Sequence, residues 1–222
     1  MKPEAISPFF ATLAAVNPQP QTELQFTSVF ELLAAVLLSA QATDVSVNKA
    51  TRELFALAPT PHKMLALGLE RVTAQIRTIG LFRTKAAHLL QTCHILVTQH
   101  GGQVPRSREA LQALPGVGRK TANVVLNVAF GEATMAVDTH VFRVSNRTGL
   151  APGRNPMEVE AALLRRVPAP YLVDAHHWLI LHGRYVCTAR APQCRTCAVK
   201  AWCDEGQKVA RRVPTMPARE TP

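Results

Sequence analysis

The run Leu114-Pro115-Gly116-Val117-Gly118-Arg119-Lys120 separates two amphipathic helical stretches, Ser107 to Leu114 and roughly Arg119 to Phe130; the second carries Ala122, Val125 and Ala129 on one face. So short a turn needs glycine. Gly116 and Gly118 can both take positive φ and both lack side-chain bulk, so backbone N–H groups and the positive end of the second helix can approach an anion. Arg119 adds a cation at the same place. This is the outline of a helix-hairpin-helix, which holds a nucleic-acid backbone through its phosphates without reading bases. An ordinary helical hairpin shares that outline, and the residues alone leave both readings open. A nucleotide-binding phosphate loop does not fit: for Gly118 the first glycine of G-x-x-x-x-G-K-[ST] falls on Ala113, and Arg119 stands where the lysine belongs.

On either side of the hairpin, helix signals recur. Ser28 with Glu31 reads as a capping box before the apolar run Leu32 to Leu38, and Asn155-Pro156 with Glu158 repeats it. Thr60-Pro61 opens a helix that Gly68 closes. Thr84 opens another, with apolar positions Ala87, Leu90, Ile95 and Val97, that stops at Gly101-Gly102. Alternating strand patterns are scarce, so the expected fold is all-α, about ten modest helices on short loops with no internal repeat. A chain of 222 residues makes one large or two modest domains. The basic, proline-containing stretch from Lys208 to Pro222 reads as a frayed tail.

The chain is 47 % hydrophobic and 18 % charged, without an apolar run long enough to cross a bilayer and without a secretion signal at Met1 to Phe10. It is therefore expected to be soluble and intracellular, and the absence of a transit-like extension favours a bacterial cytoplasm. Twenty-five Lys and Arg against 15 Asp and Glu give a net charge of +10, which suits a polyanionic partner. Four of the five cysteines form Cys187-x6-Cys194-x2-Cys197-x5-Cys203, enough thiols to enclose one metal centre. A four-thiolate zinc site usually shows two C-x-x-C knuckles and this has one, so spacing leaves zinc and iron–sulfur both open. Cys93, alone in an apolar helix, reads as a small buried hydrophobe.

The run LPGVGRKTANVVLNVAFG (114–131), then AVDTHVFRVSNR (136–147), then HHWLILHGRYVC (176–187) with its trailing cysteines resembles the endonuclease III family, within the helix-hairpin-helix glycosylases. The likeness extends through FELLAAVLLSAQATDVSVNKAT (30–51) and IRTIGLFRTKA (76–86), so it covers all but the last dozen or so residues. It implies two helical lobes with a DNA-binding cleft between them: a six-helix domain over 21–132 containing the hairpin at about 107–130, and a lobe that joins the N-terminal helix (1–20) to 133–207. It also implies a [4Fe–4S] cluster on Cys187, Cys194, Cys197 and Cys203, and damaged double-stranded DNA as the partner of a monomer.

The implied activity is that of a DNA glycosylase and abasic-site lyase acting on oxidised pyrimidines, with Lys120 as nucleophile and Asp138 as its partner. An amine attacking C1′ of the sugar forms a Schiff base, which permits β-elimination; a carboxylate cannot form that imine. At pH 7 only about one ordinary lysine in 2,500 is neutral, so such an amine needs surroundings that disfavour its charge, here Arg119 and the positive end of the helix. Asp138, ahead of the helical stretch Thr139 to Arg147, reads as an N-cap, and the resemblance adds stabilisation of the cationic sugar and proton transfer. By resemblance too, Gln41 and Leu81 fill the gap left by an extruded nucleotide. Arg190, Arg195 and Lys200, between the cysteines, read as phosphate contacts on a loop that the cluster fixes. Two rivals differ in kind. An adenine-mismatch glycosylase would lack Lys120 and carry an acid within Leu32 to Thr43, whereas a non-catalytic iron–sulfur DNA binder would need neither Lys120 nor Asp138.

Overall fold

The computed structural model describes residues 1–212; the remaining tail residues, 213–222, lie outside the described residues. The described residues form eleven α-helices and no strand: α1 (Ile6–Val16), α2 (Val29–Leu38), α3 (Asp44–Leu57), α4 (Pro61–Gln75), α5 (Phe82–Gln99), α6 (Arg108–Gln112), α7 (Arg119–Phe130), α8 (Thr139–Thr148), α9 (Pro156–Arg166), α10 (Ala175–Tyr185) and α11 (Asp204–Arg212). The all-helical class expected from the sequence is the one observed, and α11 extends into the stretch read as tail. The chain divides into two compact units, one spanning Thr22–Ala136 and the other joining Met1–Gln21 to the chain from Val137 onward.

In the unit Thr22–Ala136, α2 is the central element. Nine of its ten residues are buried, so it shows no polar face. Leu33, Ala34, Leu37 and Leu38 enter the main core with Leu54, Met64, Ile76, Leu89, Leu96 and Leu111, while Leu32 and Val36 pack on Val124 and Ala136. At about 1.5–3 kcal/mol for each large side chain removed from water, this helix anchors the unit. Four of the six helices here begin on a capping hydroxyl: Ser28, Thr43, Thr60 and Ser107 each accept the N–H three residues on. The other two, α5 at Leu81 and α7 at Gly118, begin without a capping side chain.

Two expectations differ from the structure, at the capping boxes and on α5. The Glu31 carboxylate accepts from the N–H and hydroxyl of Thr27, not from the Ser28 N–H, so the box closes one residue early; Glu158 does the same, accepting from Arg154 N–H while Asn155 caps. As expected, Gly68, with φ +79°, ends the first of the two helical segments that run on as α4. On α5, which starts at Phe82, the fully buried residues are Lys85, Ala86, Leu89, Thr92, Cys93 and Leu96, while Leu90 and Ile95 of the expected face pack half-buried against the same core.

In the other unit, Phe9 and Phe10 of α1 meet edge to face, and Phe10 stacks on Tyr171 at 5.8 Å and lies 6.3 Å from Trp178 of α10. The Trp178 indole donates to the Asn17 carbonyl at 2.8 Å. Helices α8 and α10 pack closely at Gly183, where a Cβ would lie 2.9 Å from the Cβ of His140 and 3.0 Å from a Val144 methyl.

Candidate DNA-binding loops, active-site residues and cysteine loop

Two buried hydrophobes, Leu114 and Val117, pin the hairpin to the core, and the Val117 N–H donates to the Leu114 carbonyl at 3.1 Å. From α5, the Thr92 hydroxyl donates to the Pro115 carbonyl at 3.1 Å, and His88 packs under Gly116. Gly116 has φ +77, and a Cβ there would lie 2.9 Å from His88 Nδ1, so conformation and space both require glycine. Gly118 departs from expectation. Its φ of −85° and ψ of 176° are ordinary N-cap values, and a Cβ would meet nothing within 4 Å. What Gly118 contributes is an α7 N-terminus without a capping side chain, beside the exposed Arg119 and Lys120.

Gln41 and Leu81 share an unusual backbone. They are the two non-glycine residues of positive φ among the described residues, at +53° and +58°, and both side chains are exposed. Their loops approach each other, since a Cβ built on Gly80 would lie 4.0 Å from the Gln41 carbonyl oxygen. A left-handed backbone held at two exposed non-glycine positions stores local strain where side chains are presented outward.

The segment after α7 is strapped back onto it. Asn123 donates to the Met135 carbonyl at 2.9 Å, Thr134 donates to the Asn123 carbonyl at 2.6 Å, and Asn127 donates to the Glu132 carbonyl at 2.9 Å. In the other unit, Asp138 caps α8: one carboxylate oxygen accepts the Val141 N–H at 2.8 Å, which fixes the side chain of this half-exposed acid.

The four clustered cysteines, all free thiols, line one cavity of about 330 Å³ including its open mouth. Burial pushes the Cys197 and Cys203 thiols up, and the neighbouring cysteines push the same way. Among the described residues no group of three or more Cys, His, Asp or Glu is arranged to hold a single metal ion. Donors point at the sulfurs: the Gly206 N–H lies 3.3 Å from Cys203 Sγ and an Arg147 guanidinium nitrogen 3.5 Å from Cys187 Sγ. His182 Nε2 is 3.8 Å from Cys197 Sγ, and burial holds that imidazole down to about 4, neutral at pH 7. Arg190, Arg195 and Lys200 are exposed on this loop, with the Lys200 ammonium donating to the Arg195 carbonyl at 2.9 Å.

Residues 34–169 match the family described as HhH-GPD superfamily base excision DNA repair protein. The chain is 62 % identical to endonuclease III of Escherichia coli (strain K12) over 193 residues, 87 % of this chain and 92 % of that protein. The chain belongs to the endonuclease III family. Two solved structures agree. A trapped endonuclease III–DNA covalent intermediate matches with a TM-score of 0.87 at 44 % identity, covering 95 % of this chain and all of that one. A non-covalent endonuclease III–DNA complex matches at 0.88, with 44 % identity and 96 % of this chain covered. Membership of the endonuclease III family gives this chain a DNA glycosylase and abasic-site lyase role in base excision repair.

Several residues that build these endonuclease III elements escaped the sequence reading. Arg143 donates to the carbonyls of Gly183 at 2.6 Å and Cys187 at 3.0 Å, and Arg147 donates to those of Thr188 at 2.7 Å and Ala189 at 3.1 Å. These arginines, four apart on α8, brace the start of the cysteine loop. The spacing was available, whereas the acceptors, 40 and more residues away, were not. No described helix is long and apolar enough to cross a membrane.

Proposed function

We propose that this chain removes oxidised pyrimidines from duplex DNA by attack of the Lys120 amine on C1′ of the damaged nucleotide. The observation that carries the reading is the position of Lys120, exposed on the first turn of α7 immediately beyond the hairpin. There, phosphates gripped by the uncapped N–H groups bring the sugar to the amine. As the C1′–base bond breaks, the base leaves with the bonding electrons and takes up a proton, and the Lys120 nitrogen takes its place on C1′ after losing a proton. Ring opening gives the protonated Schiff base. Loss of a C2′ proton then expels the 3′ phosphate by β-elimination, and water releases Lys120.

The Asp138 carboxylate, held by its α8 cap, stabilises the cationic sugar and moves the proton that frees the amine. Gln41 and Leu81 are the inserted side chains, and Gly116, Gly118 and Arg119 hold the backbone.

Cys187, Cys194, Cys197 and Cys203, which line one cavity with nitrogen donors aimed at two of the sulfurs, would hold a [4Fe–4S] cluster. A bound cluster would supply four iron–thiolate bonds that fix the loop carrying Arg190, Arg195 and Lys200 against phosphates. The protein would act as a monomer in a bacterial cytoplasm, on nucleoid DNA. Borohydride trapping on duplex DNA containing an abasic site or thymine glycol tests this reading: the wild-type chain gives a covalent adduct and Lys120→Ala gives none. An undiminished adduct with Lys120→Ala, or none with wild type, overturns it.

A further inference from the structure

Lys85 has no part in the scheme above, yet it is one of the few charged side chains the core admits. It is 4 % exposed, its amine is buried without a hydrogen-bond partner, and desolvation lowers its pKa. An apolar side chain of the same length would fill this space without leaving three donors unsatisfied. The amine therefore has a use in another arrangement of the molecule.

Its surroundings identify that arrangement. Lys85 stands on the α5 face that carries His88 and Thr92, the two residues against Gly116 and Pro115 of the hairpin. One turn earlier, the Leu81 carbonyl accepts the Lys85 N–H at 3.0 Å. Long helical side chains lean toward the helix N-terminus, which for Lys85 is the side of the Leu81 loop, and that loop approaches the Gln41 loop. Those two loops hold the two positive-φ non-glycine residues among the described residues.

We propose that Lys85 is a positioning residue for nucleotide extrusion: when Gln41 and Leu81 enter the duplex, carbonyls of their two loops turn onto the Lys85 ammonium and hold both loops in the inserted arrangement. This rests on the assignment of Gln41 and Leu81 as inserted side chains. The device needs no contact between Lys85 and DNA. It couples the wedge to the same helix that supports the hairpin, so phosphate grip and insertion reinforce each other.

The test compares wild type, Lys85→Met and Leu81→Ala on two substrates. One is a duplex with thymine glycol beside 2-aminopurine, whose fluorescence rises on unstacking; the other is a single strand with an abasic site, which requires no insertion. Lys85→Met is expected to trap on the single strand within twofold of wild type, while its fluorescence step and excision from the duplex slow at least tenfold. Leu81→Ala should slow the duplex steps as well. A wild-type duplex rate for Lys85→Met, with Leu81→Ala slowed, overturns the role of Lys85 alone; a wild-type rate for Leu81→Ala overturns the wedge assignment and this inference with it. Should Lys85→Met not fold, lysine-¹⁵Nζ spectra of the wild-type chain decide. The Lys85 signal, identified by its loss in Lys85→Gln, should become a slowly exchanging, hydrogen-bonded ammonium on adding a duplex with a tetrahydrofuran abasic analogue. A signal unmoved by that duplex refutes the proposal.

Discussion

Asp138 carries two separable duties, and a pair of substitutions separates them. Asparagine caps helices about as well as aspartate but has no charge, so Asp138→Asn should keep the α8 cap and its Tm while slowing base release by at least tenfold. Alanine removes both. Asp138→Ala should additionally lose about 1 kcal/mol, a fall in Tm of roughly 2–4 °C. Equal melting of the two variants, or an Asp138→Asn excision rate equal to wild type, would contradict the division, and calorimetry beside a single-turnover excision assay measures both. The cap itself was legible in the sequence, because an acid ahead of an amphipathic run is a local signal. The positive φ of Gln41 and Leu81 was not, for neither residue type favours that conformation.

The hairpin makes its own forecast at the level of elements. Gly116→Ala meets both a backbone conformation that costs roughly 1–2 kcal/mol and the ring of His88, so it should lower stability and weaken duplex binding together. Gly118→Ala, in open space with ordinary φ, should leave Tm within about 1–2 °C of wild type. Two equally damaging glycine substitutions would show that the turn is held differently. Reading the sequence treated the two glycines alike, since the motif shows that a tight turn exists but not which residue bends it. Helix starts that depend on a neighbouring Ser, Thr or Asn were legible for the same local reason, as at Ser28 and Asn155. The buried face of α5 was not. It includes Lys85 and Thr92, and the bond from Thr92 to the Pro115 carbonyl of the hairpin is a contact that no local signal announces.

Across the whole molecule, a net charge of +10 and the basic cysteine loop predict binding that weakens steeply with salt. Purified chain should be brown from a [4Fe–4S] cluster. Cys203→Ser should bleach it and, by releasing Arg190, Arg195 and Lys200, flatten the slope of log affinity against log salt by about 0.9 for each phosphate the loop no longer neutralises. A colourless preparation with an unchanged slope would refute the cluster and its structural purpose together. Everything else depends on where the covalent bond forms. The most direct measurement is peptide mapping by mass spectrometry of the borohydride-reduced complex between wild-type chain and an abasic duplex. The sugar remnant is expected on the Lys120 side chain; its recovery on Lys85, on an N-terminal amine or on any other lysine would contradict the assignment.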